Sequence, residues 1–199
     1  MTIENSPQPN GPNKSSSCHA SCLRSSDPAA ASVLVELDIR GILAELTEEG
    51  VDFLIIGGVA VGYHGHVRAT KDVDVVPKPD QENYARLAHA LEKLEAQVEG
   101  AEEFDEAELP DPFDPSVLAE RGNWVLHTRL GRLDIMQWQG EEPLWEKLEK
   151  EAIADQIAEL PVRLVSYEDL LSLKEDAARP EDLIDLARLR EAREERDSP

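Results

Sequence analysis

The sequence contains little of what disulfide-rich, membrane-spanning or nucleic-acid-coating proteins depend on. Its 199 residues include two cysteines and three each of tryptophan, tyrosine and phenylalanine, and 20 basic residues stand against 42 acidic ones. Two cysteines cannot build a disulfide framework, and such sparse usage is typical of a reducing cytoplasm. No apolar run approaches the roughly 18 residues of a membrane helix, and the amino terminus lacks the apolar segment of a signal peptide. We therefore expect a cytoplasmic protein that does not contact a membrane.

The charge distribution indicates which anionic ligands the protein can bind. The formal net charge is −22, which repels polyanions at long range and leaves few Lys and Arg residues to neutralise phosphates. Residues 94–120 hold ten of the acids and no base, interrupted by three prolines, and predict an exposed acidic loop. The bases concentrate in residues 68–78, 121–132 and 174–179. The acidity therefore argues against broad RNA binding but does not exclude binding of an RNA end, and a nucleoside triphosphate is the best-supported anionic ligand.

Composition divides the chain into three parts. Residues 1–31 predict a disordered leader, because fifteen of them are Ser, Pro, Asn or Gly and no periodicity is present. Cys18, His19 and Cys22 lie in this leader, and we interpret them as a solvated tail because nothing nearby completes a four-ligand zinc site. Residues 32–165 predict a folded core, and residues 166–199 a helical segment that completes the same domain.

Hydrophobic periodicity within the core alternates between helical and strand patterns. The predicted strands are residues 51–56, 72–76, 124–130, 132–138 and 162–165, with Gly131 as the turn of a hairpin. The predicted helices are residues 35–50, 59–66, 80–100 and 142–152, one opened by Ser166, and one from Pro180 that carries Leu183, Leu186 and Leu189 and frays after Arg190. This pattern predicts an α/β (α+β) domain with a small mixed sheet flanked by helices.

Two acids in one predicted strand form the first candidate site. Asp72 and Asp74 project from one face, about 7 Å apart, while Val73 and Val75 face the core. Paired carboxylates on an otherwise apolar strand are costly unless a positive group lies between them, and a divalent cation meets that need well. A solvated acidic face on an edge strand explains the same pattern, so both interpretations stay open at this point.

Two further features point to the same place. The strand that ends at Ile56 leads directly into Gly57 and Gly58, which permit a sharp turn and can present free N–H groups to phosphate oxygens. A plain turn is the simpler explanation of that pair. In the hairpin, Asp134 stands in the apolar run Leu133–Met136, and it would join Asp72 and Asp74 if its strand pairs beside theirs.

Together these residues resemble the nucleotidyltransferase superfamily of DNA polymerase β, in which a strand ending in Gly-Gly precedes Asp-x-Asp and a later lone strand Asp. The run Ile55–Val61, His64-Gly65, Arg68–Thr70 and Asp72–Asp74 is similar to small bacterial nucleotidyltransferases, among them abortive-infection toxins and minimal antitoxin transferases. Ser166–Leu170 with Lys174, Arg179, Asp182 and Asp185 resembles their closing helical segment. The resemblance covers residues 33–190.

The resemblance implies roles for eight residues. Asp72 and Asp74 would ligate Mg²⁺ or Mn²⁺, and Asp134 would complete the second metal site and help to activate the acceptor hydroxyl. The nucleotide-binding residues would be Gly57, Gly58, Arg68, Lys174 and Asp182, with Lys174 near the phosphates and Asp182 orienting either Lys174 or the metal shell.

The implied activity is metal-dependent transfer of a nucleoside monophosphate from a triphosphate such as ATP to a hydroxyl of a tRNA end, a protein or a small molecule. The implied setting is a toxin–antitoxin or phage-defence system, with a toxin or antitoxin partner. The alternative is a non-catalytic relative that acts as an antitoxin or partner-binding protein; the intact acid set favours the enzyme.

Three neighbouring features keep more than one interpretation. Arg121, Arg129 and Arg132 either meet phosphates or balance the acidic segment. Trp124 and Trp138 either stack a base or pack in a hairpin core, the latter being commoner. His64, His66 and His127 either contact nucleotide or metal or are ordinary turn and hairpin side chains, the latter being commoner, and Thr70 is interpreted as a turn residue.

Overall fold

A mixed seven-stranded sheet runs through the computed structural model, which describes residues 36–101, 109–120, 122–140 and 142–198. The strands are β1 (Phe53–Ile55), β2 (Asp72–Pro77), β3 (Gln97–Val98), β4 (Trp124–Thr128), β5 (Gly131–Ile135), β6 (Trp138–Gln139), β7 (Glu142–Pro143), β8 (Ile153–Ile157) and β9 (Leu160–Leu164). The helices are α1 (Ile39–Glu48), α2 (Gly57–Tyr63), α3 (Gln81–Lys93), α4 (Pro115–Ala119), α5 (Leu144–Leu148), α6 (Tyr167–Ala177) and α7 (Pro180–Asp197). The predicted leader with Cys18 and Cys22, part of the acidic segment, and Arg121 lie outside the described residues.

The sheet has the order β3-β4-β5-β2-β1-β9-β8, while β6 and β7 form a separate two-stranded ribbon. Two pairs are parallel, β2 with β5 and β1 with β9, and the remaining pairs are antiparallel. The parallel pairing of β2 with β5 places the middle of the predicted acidic strand directly beside the middle of the hairpin strand. The predicted mixed sheet flanked by helices is confirmed.

The two faces of the sheet are covered differently. On one face α1 and α3 pack over alternate strand residues and bury a continuous apolar core that includes Leu43, Leu87 and Leu133. On the other face, side chains of α2, α5, α6 and α7 cover Leu54 of β1 and Val76 of β2. Farther along this second face, His127 on β4 and Gln97 on β3 are exposed. The helices therefore cover the β1–β2 part of this face and stop short of β4.

Local capping explains where the principal helices begin. The side chains of Asp38, Asp80 and Ser166 each accept a hydrogen bond from a backbone N–H in the first turn of α1, α3 and α6. Such caps satisfy donors that have no partner within the helix. The expected hairpin is present as well, with β4 and β5 paired in register around the turn before Gly131.

Two helices differ in their bounds from the sequence prediction. The helix expected over residues 80–100 ends at Lys93, because Glu95 adopts φ +54° and turns the chain, after which Val98 pairs with Leu126 in the sheet. The helix expected over residues 142–152 is shorter. Glu142–Pro143 belongs to β7, α5 occupies Leu144–Leu148, and a single 3-10 turn follows at Glu149–Glu151.

The carboxyl-terminal part contains two further corrections. Strand β8 is missing from the sequence prediction, because its hairpin to β9 turns through Ala158 and Glu159 with φ +48° and +69°, where Gly or Asn would normally signal the turn. Helix α7 does not fray after Arg190 but continues to Asp197, and its Leu183 is 57% exposed. No helix among the described residues is both long and apolar enough to cross a bilayer.

We expect Asn83→Ala to lower the free energy of unfolding by about 2–3 kcal/mol, because the Asp52 N–H and the Lys78 carbonyl would lose the partner that the buried amide supplies. The fully buried Asn83 amide joins two loops: Oδ1 accepts from the Asp52 N–H at 2.8 Å, and Nδ2 donates to the carbonyls of Asp52 and Lys78 at 2.9 and 3.0 Å. Urea denaturation measures the effect. The control is Gln81→Ala, an exposed position two residues earlier, and equal losses in both variants would contradict this account.

Candidate active site

Three carboxylates meet where the helical cover of the sheet ends. Asp74 on β2 is the register partner of Asp134 on β5, and Asp72 lies two residues earlier on the same face. One oxygen from each carboxylate can be chosen so that all three atoms lie within 4.8 Å of one another. Val73, Val75 and Leu133 point to the opposite face and are buried. The alternation of strand side chains thus produces an acidic triad on the edge of the open half of the sheet.

The glycine pair lies against this triad and begins α2. Gly57 adopts φ +60°, and a Cβ built there would lie 1.8 Å from Oδ2 of Asp74. A Cβ on Gly58 would lie 2.3 Å from Oγ1 of Thr70. The Gly58 N–H donates to the Asp74 carboxylate, so in this conformation it orients a carboxylate instead of standing free for a phosphate. Both glycines are needed because the backbone approaches the triad closely.

Asp74 is the carboxylate most affected by this crowding. Burial, then the neighbouring charges of Asp72 and Asp134, raise the pKa of Asp74 to about 6, although the Gly58 N–H and the Lys174 ammonium act in the opposite direction. The triad therefore carries more negative charge than its surroundings compensate. A group of this kind is a candidate functional site on physical grounds.

Arg132 supplies a cation on the β5 side of the triad. It precedes Asp134 by two residues on the same strand face, and its Nε and Nη2 donate to Oδ1 and Oδ2 of Asp134 at 2.8 and 2.9 Å. The hydrogen bonds to Asp134 raise the pKa of Arg132, with further support from the charges of Glu99 and Asp72. A parallel two-donor pair of this kind is among the stronger charge-assisted contacts in proteins.

A buried ionic network supports the other side of the site. The Lys174 ammonium on α6 lies 2.6 Å from Asp182 and 2.8 Å from Asp185, both on α7 and both at most 1% exposed. Arg179 donates from Nε to Asp182 at 2.7 Å. Burial acts to raise the pKa of Asp182, but its ion pairs with Arg179 and Lys174 outweigh it and hold that pKa below its usual range. The network leaves Lys174 with one further donor that can point into the cleft.

Arg68 extends this network to the loop after α2. Its Nε and Nη2 donate to the two carboxylate oxygens of Asp185 at 2.7 and 2.8 Å, and Nη1 donates to the carbonyl of Ala69. All three of its nitrogens therefore have partners within the protein. The predicted contact of Arg68 with nucleotide stays a prediction, whereas its observed contacts fix the loop to α7.

These elements line a cleft of about 570 Å³. The cationic and polar residues of its lining, here called the cationic wall, are Arg68, Thr70, Lys71, Lys174 and Arg179 beside the glycine pair. Its apolar lining residues are Met136, Trp138, Leu144, Leu170 and Leu173. The acidic triad lines the same cleft. All eight residues singled out from the sequence line this cleft.

Two residues near the site make contacts that their sequence patterns do not predict. Thr70 is more than a turn residue, because its hydroxyl lies 3.3 Å from Oδ1 of Asp72 and 3.2 Å from the Asp72 carbonyl. Asp185 belongs to the resemblance of the closing helical segment, which implies no role for it. Its spacing of three from Asp182 places both carboxylates on one helix face, a signal available in the sequence once burial of that face is considered. Of the remaining candidates, Trp124 and His64 are buried, while Arg129 pairs with Glu45 at 3.3 Å.

Comparison with known proteins identifies the fold. No protein-family model matches the chain, and no curated protein matches it in sequence. The solution structure of the antibiotic-resistance factor ANT(2'')-Ia is similar with a TM-score of 0.51 and 23% identity, over 76% of this chain and 79% of that protein. The crystal structure of the lincomycin-bound lincosamide antibiotic adenylyltransferase LnuA gives a TM-score of 0.54 and 14% identity, over 78% and 98%. The expected relationship to the nucleotidyltransferase fold is confirmed.

The donor set fits the cation that this fold implies. The triad offers hard carboxylate oxygens alone, which suits Mg²⁺ or Mn²⁺ rather than a metal that prefers nitrogen or sulfur. Burial, and then the charges of Asp72 and Asp134, raise the pKa of Asp74, and a divalent cation would compensate this buried negative charge. Asp72, Asp74 and Asp134 are therefore the residues that would hold it.

We expect Gly57→Ala to destabilise the protein by at least about 2 kcal/mol or to displace the Asp74 carboxylate, because the new Cβ would overlap Oδ2 in a left-handed backbone conformation. Thermal unfolding measures the loss. Gly62→Ala is the matched control in the same helix, since no atom lies within 4 Å of its Cβ position and the change should be neutral or stabilising. Indistinguishable behaviour of the two variants would contradict the packing described.

The raised pKa of Asp74 predicts a pH dependence of stability in EDTA. Between pH about 4, the unfolded value, and about 6, the folded value, the folded state binds more protons, so the wild type loses stability as the pH rises. Asp74→Asn should remove this slope and stabilise the protein more at pH 7.5 than at pH 4.5, as measured by thermal unfolding.

The control for this measurement is Asp80→Asn, which makes the same change at a helix cap. The hydrogen bond from the Asn83 N–H lowers the pKa of Asp80, so its favourable contribution is present above pH about 4 and is lost on acidification. Asp80→Asn should therefore not stabilise the protein at pH 7.5. A parallel pH response of the two variants would contradict the assignment for Asp74.

Proposed function

We propose that this chain is a metal-dependent nucleotidyltransferase that transfers a nucleoside monophosphate from a nucleoside triphosphate to a hydroxyl group of an acceptor. The observation that carries the proposal is the acidic triad of Asp72, Asp74 and Asp134 beside the Gly57-Gly58 turn, within a sheet of the nucleotidyltransferase fold. Each of these features is common alone. Their combination in one cleft supports this chemistry over that of a general acidic cation-binding domain.

Asp72 and Asp74 would hold the divalent cations, and Asp134 would complete the set on the acceptor side. Bound cations supply charge stabilisation for the entering and leaving oxygens of phosphoryl transfer. Thr70 orients Asp72 through its hydroxyl, and Gly58 orients Asp74 through its N–H. The protein thereby fixes the carboxylates before substrate binds, which is the principal contribution that a phosphoryl-transfer site makes.

The triphosphate would lie along the cationic wall. Gly57 and Gly58 follow β1, next to β2, whereas Asp134 lies on β5 at the other side of β2. Lys174 is buried between two carboxylates, so its position is fixed and its remaining donor is available to a phosphate oxygen. Lys71 and Arg179 add positive charge to the same wall. Asp182 orients Lys174 and would act on the nucleotide only through it.

The acceptor hydroxyl would approach from the β5 side, where Asp134 would help to activate it. The cleft that Asp134 lines also has apolar lining residues, among them Met136, Trp138, Leu144 and Leu173. A cleft of about 570 Å³ falls within the usual range for small-molecule sites. We therefore favour a small-molecule acceptor over a tRNA end or a protein. The likeness to LnuA, named as a lincosamide antibiotic adenylyltransferase, supports that choice.

The alternative is a non-catalytic relative that acts as an antitoxin or binds a partner protein. The intact triad speaks against it, since such a protein has no use for three carboxylates with uncompensated charge. The toxin–antitoxin or phage-defence setting implied by the resemblance stays a prediction, because no feature of the cleft bears on it.

The test is transfer of label from α-labelled ATP, GTP, CTP and UTP in the presence of Mg²⁺ or Mn²⁺. The full chain should transfer label to at least one acceptor from a panel of hydroxyl-bearing small molecules, tRNA, bulk protein and the protein itself. Asp74→Asn should reduce transfer at least about 100-fold, because a metal ligand is lost. Chelation with EDTA should abolish it.

Asp80→Asn serves as the control, since it removes one carboxylate from a helix cap outside the cleft and should leave transfer intact. Transfer that persists unchanged in Asp74→Asn would refute the site assignment. Absence of transfer across the panel, combined with absence of Mg²⁺-dependent nucleotide binding, would favour the non-catalytic alternative.

A further inference from the structure

Arg132 occupies an unusual position for a residue beside a cation site. Both of its hydrogen bonds at 2.8 and 2.9 Å go to the two oxygens of Asp134, the third member of the triad. In the β2–β5 register Arg132 also lies opposite Asp72. Its side chain is 34% exposed, whereas the Asp134 side chain is 11% exposed. A partly solvated cation thus engages the carboxylate that a metal would need.

The electrostatic consequence follows directly. Three carboxylates this close repel one another, and Arg132 supplies positive charge at the β5 end while Lys174 supplies it at the other. A divalent cation and the guanidinium would compete for the same negative charge and for the lone pairs of Asp134. Binding of one should therefore weaken binding of the other.

A second partner for the guanidinium is already within reach. Oε2 of Glu99, which follows β3, lies 3.9 Å from Nη2 of Arg132, and Oε1 of the same residue lies 3.8 Å from Nε2 of His127. Glu99 is 47% exposed and is bonded by no closer cation among the described residues. A change in side-chain rotamer, without movement of the backbone, would bring Arg132 into closer contact with Glu99.

We propose that Arg132 is a positioning residue with two alternative partners: it holds the Asp134 carboxylate while the triad lacks a cation, and it moves to Glu99 when a cation takes that carboxylate. This proposal rests on the proposed function, because it assumes that the triad binds a divalent cation. Arg132 would keep the cation-free triad ordered. Glu99 would lower the free-energy cost of releasing Arg132 from Asp134. Neither residue needs to touch the nucleotide.

The experiment is a titration of the full chain with Mn²⁺ alone, in which the electron paramagnetic resonance signal of free Mn²⁺ reports binding without any catalytic turnover. Arg132→Met should bind Mn²⁺ about five- to tenfold more tightly than the wild type, because the competing charge-assisted pair is lost. Glu99→Gln should bind more weakly. The double variant should match Arg132→Met, since Glu99 acts through Arg132 in this scheme.

Arg129→Met is the matched control, because it removes the same charge from the same hairpin where the side chain pairs with Glu45 on the other face of the sheet. It should change Mn²⁺ affinity less than about twofold. Thermal unfolding in EDTA verifies that each variant folds. Arg132→Lys keeps the charge but loses the two-donor geometry. It should have a Mn²⁺ affinity between those of the wild type and Arg132→Met, and it replaces the Met variant if that variant does not fold.

The outcomes separate the two proposals. Weaker or unchanged Mn²⁺ binding by Arg132→Met would overturn the competition and indicate that Arg132 prepares Asp134 for the metal. An effect of Glu99→Gln that is equally large in the Arg132→Met background would overturn the exchange, because it would be a general charge effect. A wild-type protein that binds no Mn²⁺ would overturn the metal site itself, and both proposals with it.

Discussion

Mutual repulsion among three carboxylates is the constraint on which the rest of the site depends. The register of β2 with β5 forces Asp74 beside Asp134, and strand alternation adds Asp72 on the same face. Nearly every unusual feature nearby reduces the cost of this arrangement. Gly58 donates its N–H to Asp74, Arg132 pairs with Asp134, and Thr70 contacts Asp72. The compensation is incomplete, as the raised pKa of Asp74 indicates, and this remaining negative charge is what gives the site its affinity for a cation in the function we propose.

A second set of charges has the opposite character, because it is fully compensated. Asp182 and Asp185 are buried on α7, where an unpaired carboxylate would be prohibitively costly. Lys174 contacts both of them, and Arg68 and Arg179 complete the set. Exchanging such a network for apolar side chains often costs little stability, so stability alone does not account for it. Its more specific effect is geometric, because it connects α6, α7 and the loop after α2 around one ammonium group that faces the cleft. The carboxyl-terminal helices are thereby part of the site rather than an addition to the domain.

The parts of this site that follow from local geometry could be predicted from the sequence. Strand alternation places Asp72 and Asp74 together, and the Asp80 and Ser166 caps follow from short-range hydrogen bonding. The parts that depend on distant partners could not. Asp185 occupies a helix position that would face solvent in most acidic helices, and its burial becomes favourable through Lys174 on α6 and Arg68, 117 residues earlier. The β8–β9 hairpin is not predicted for a different reason. Ala158 and Glu159 form its turn with positive φ angles, and their residue types give no signal of such a turn.

The uneven cover of the sheet connects these observations to the direction of substrate approach. Helices pack over β1 and β2 on the triad face, whereas the same face is open at β4 and β3. The glycine turn and the cationic wall lie on the covered side, and Asp134 with Arg132 lies at the border. A nucleotide held on the covered side would be shielded from water, which strengthens its contacts with Lys174. An acceptor that arrives over the open half would meet the more exposed Arg132, Glu99 and His127 before Asp134. The side chain that we propose to respond to the cation is therefore also one that an incoming acceptor would encounter.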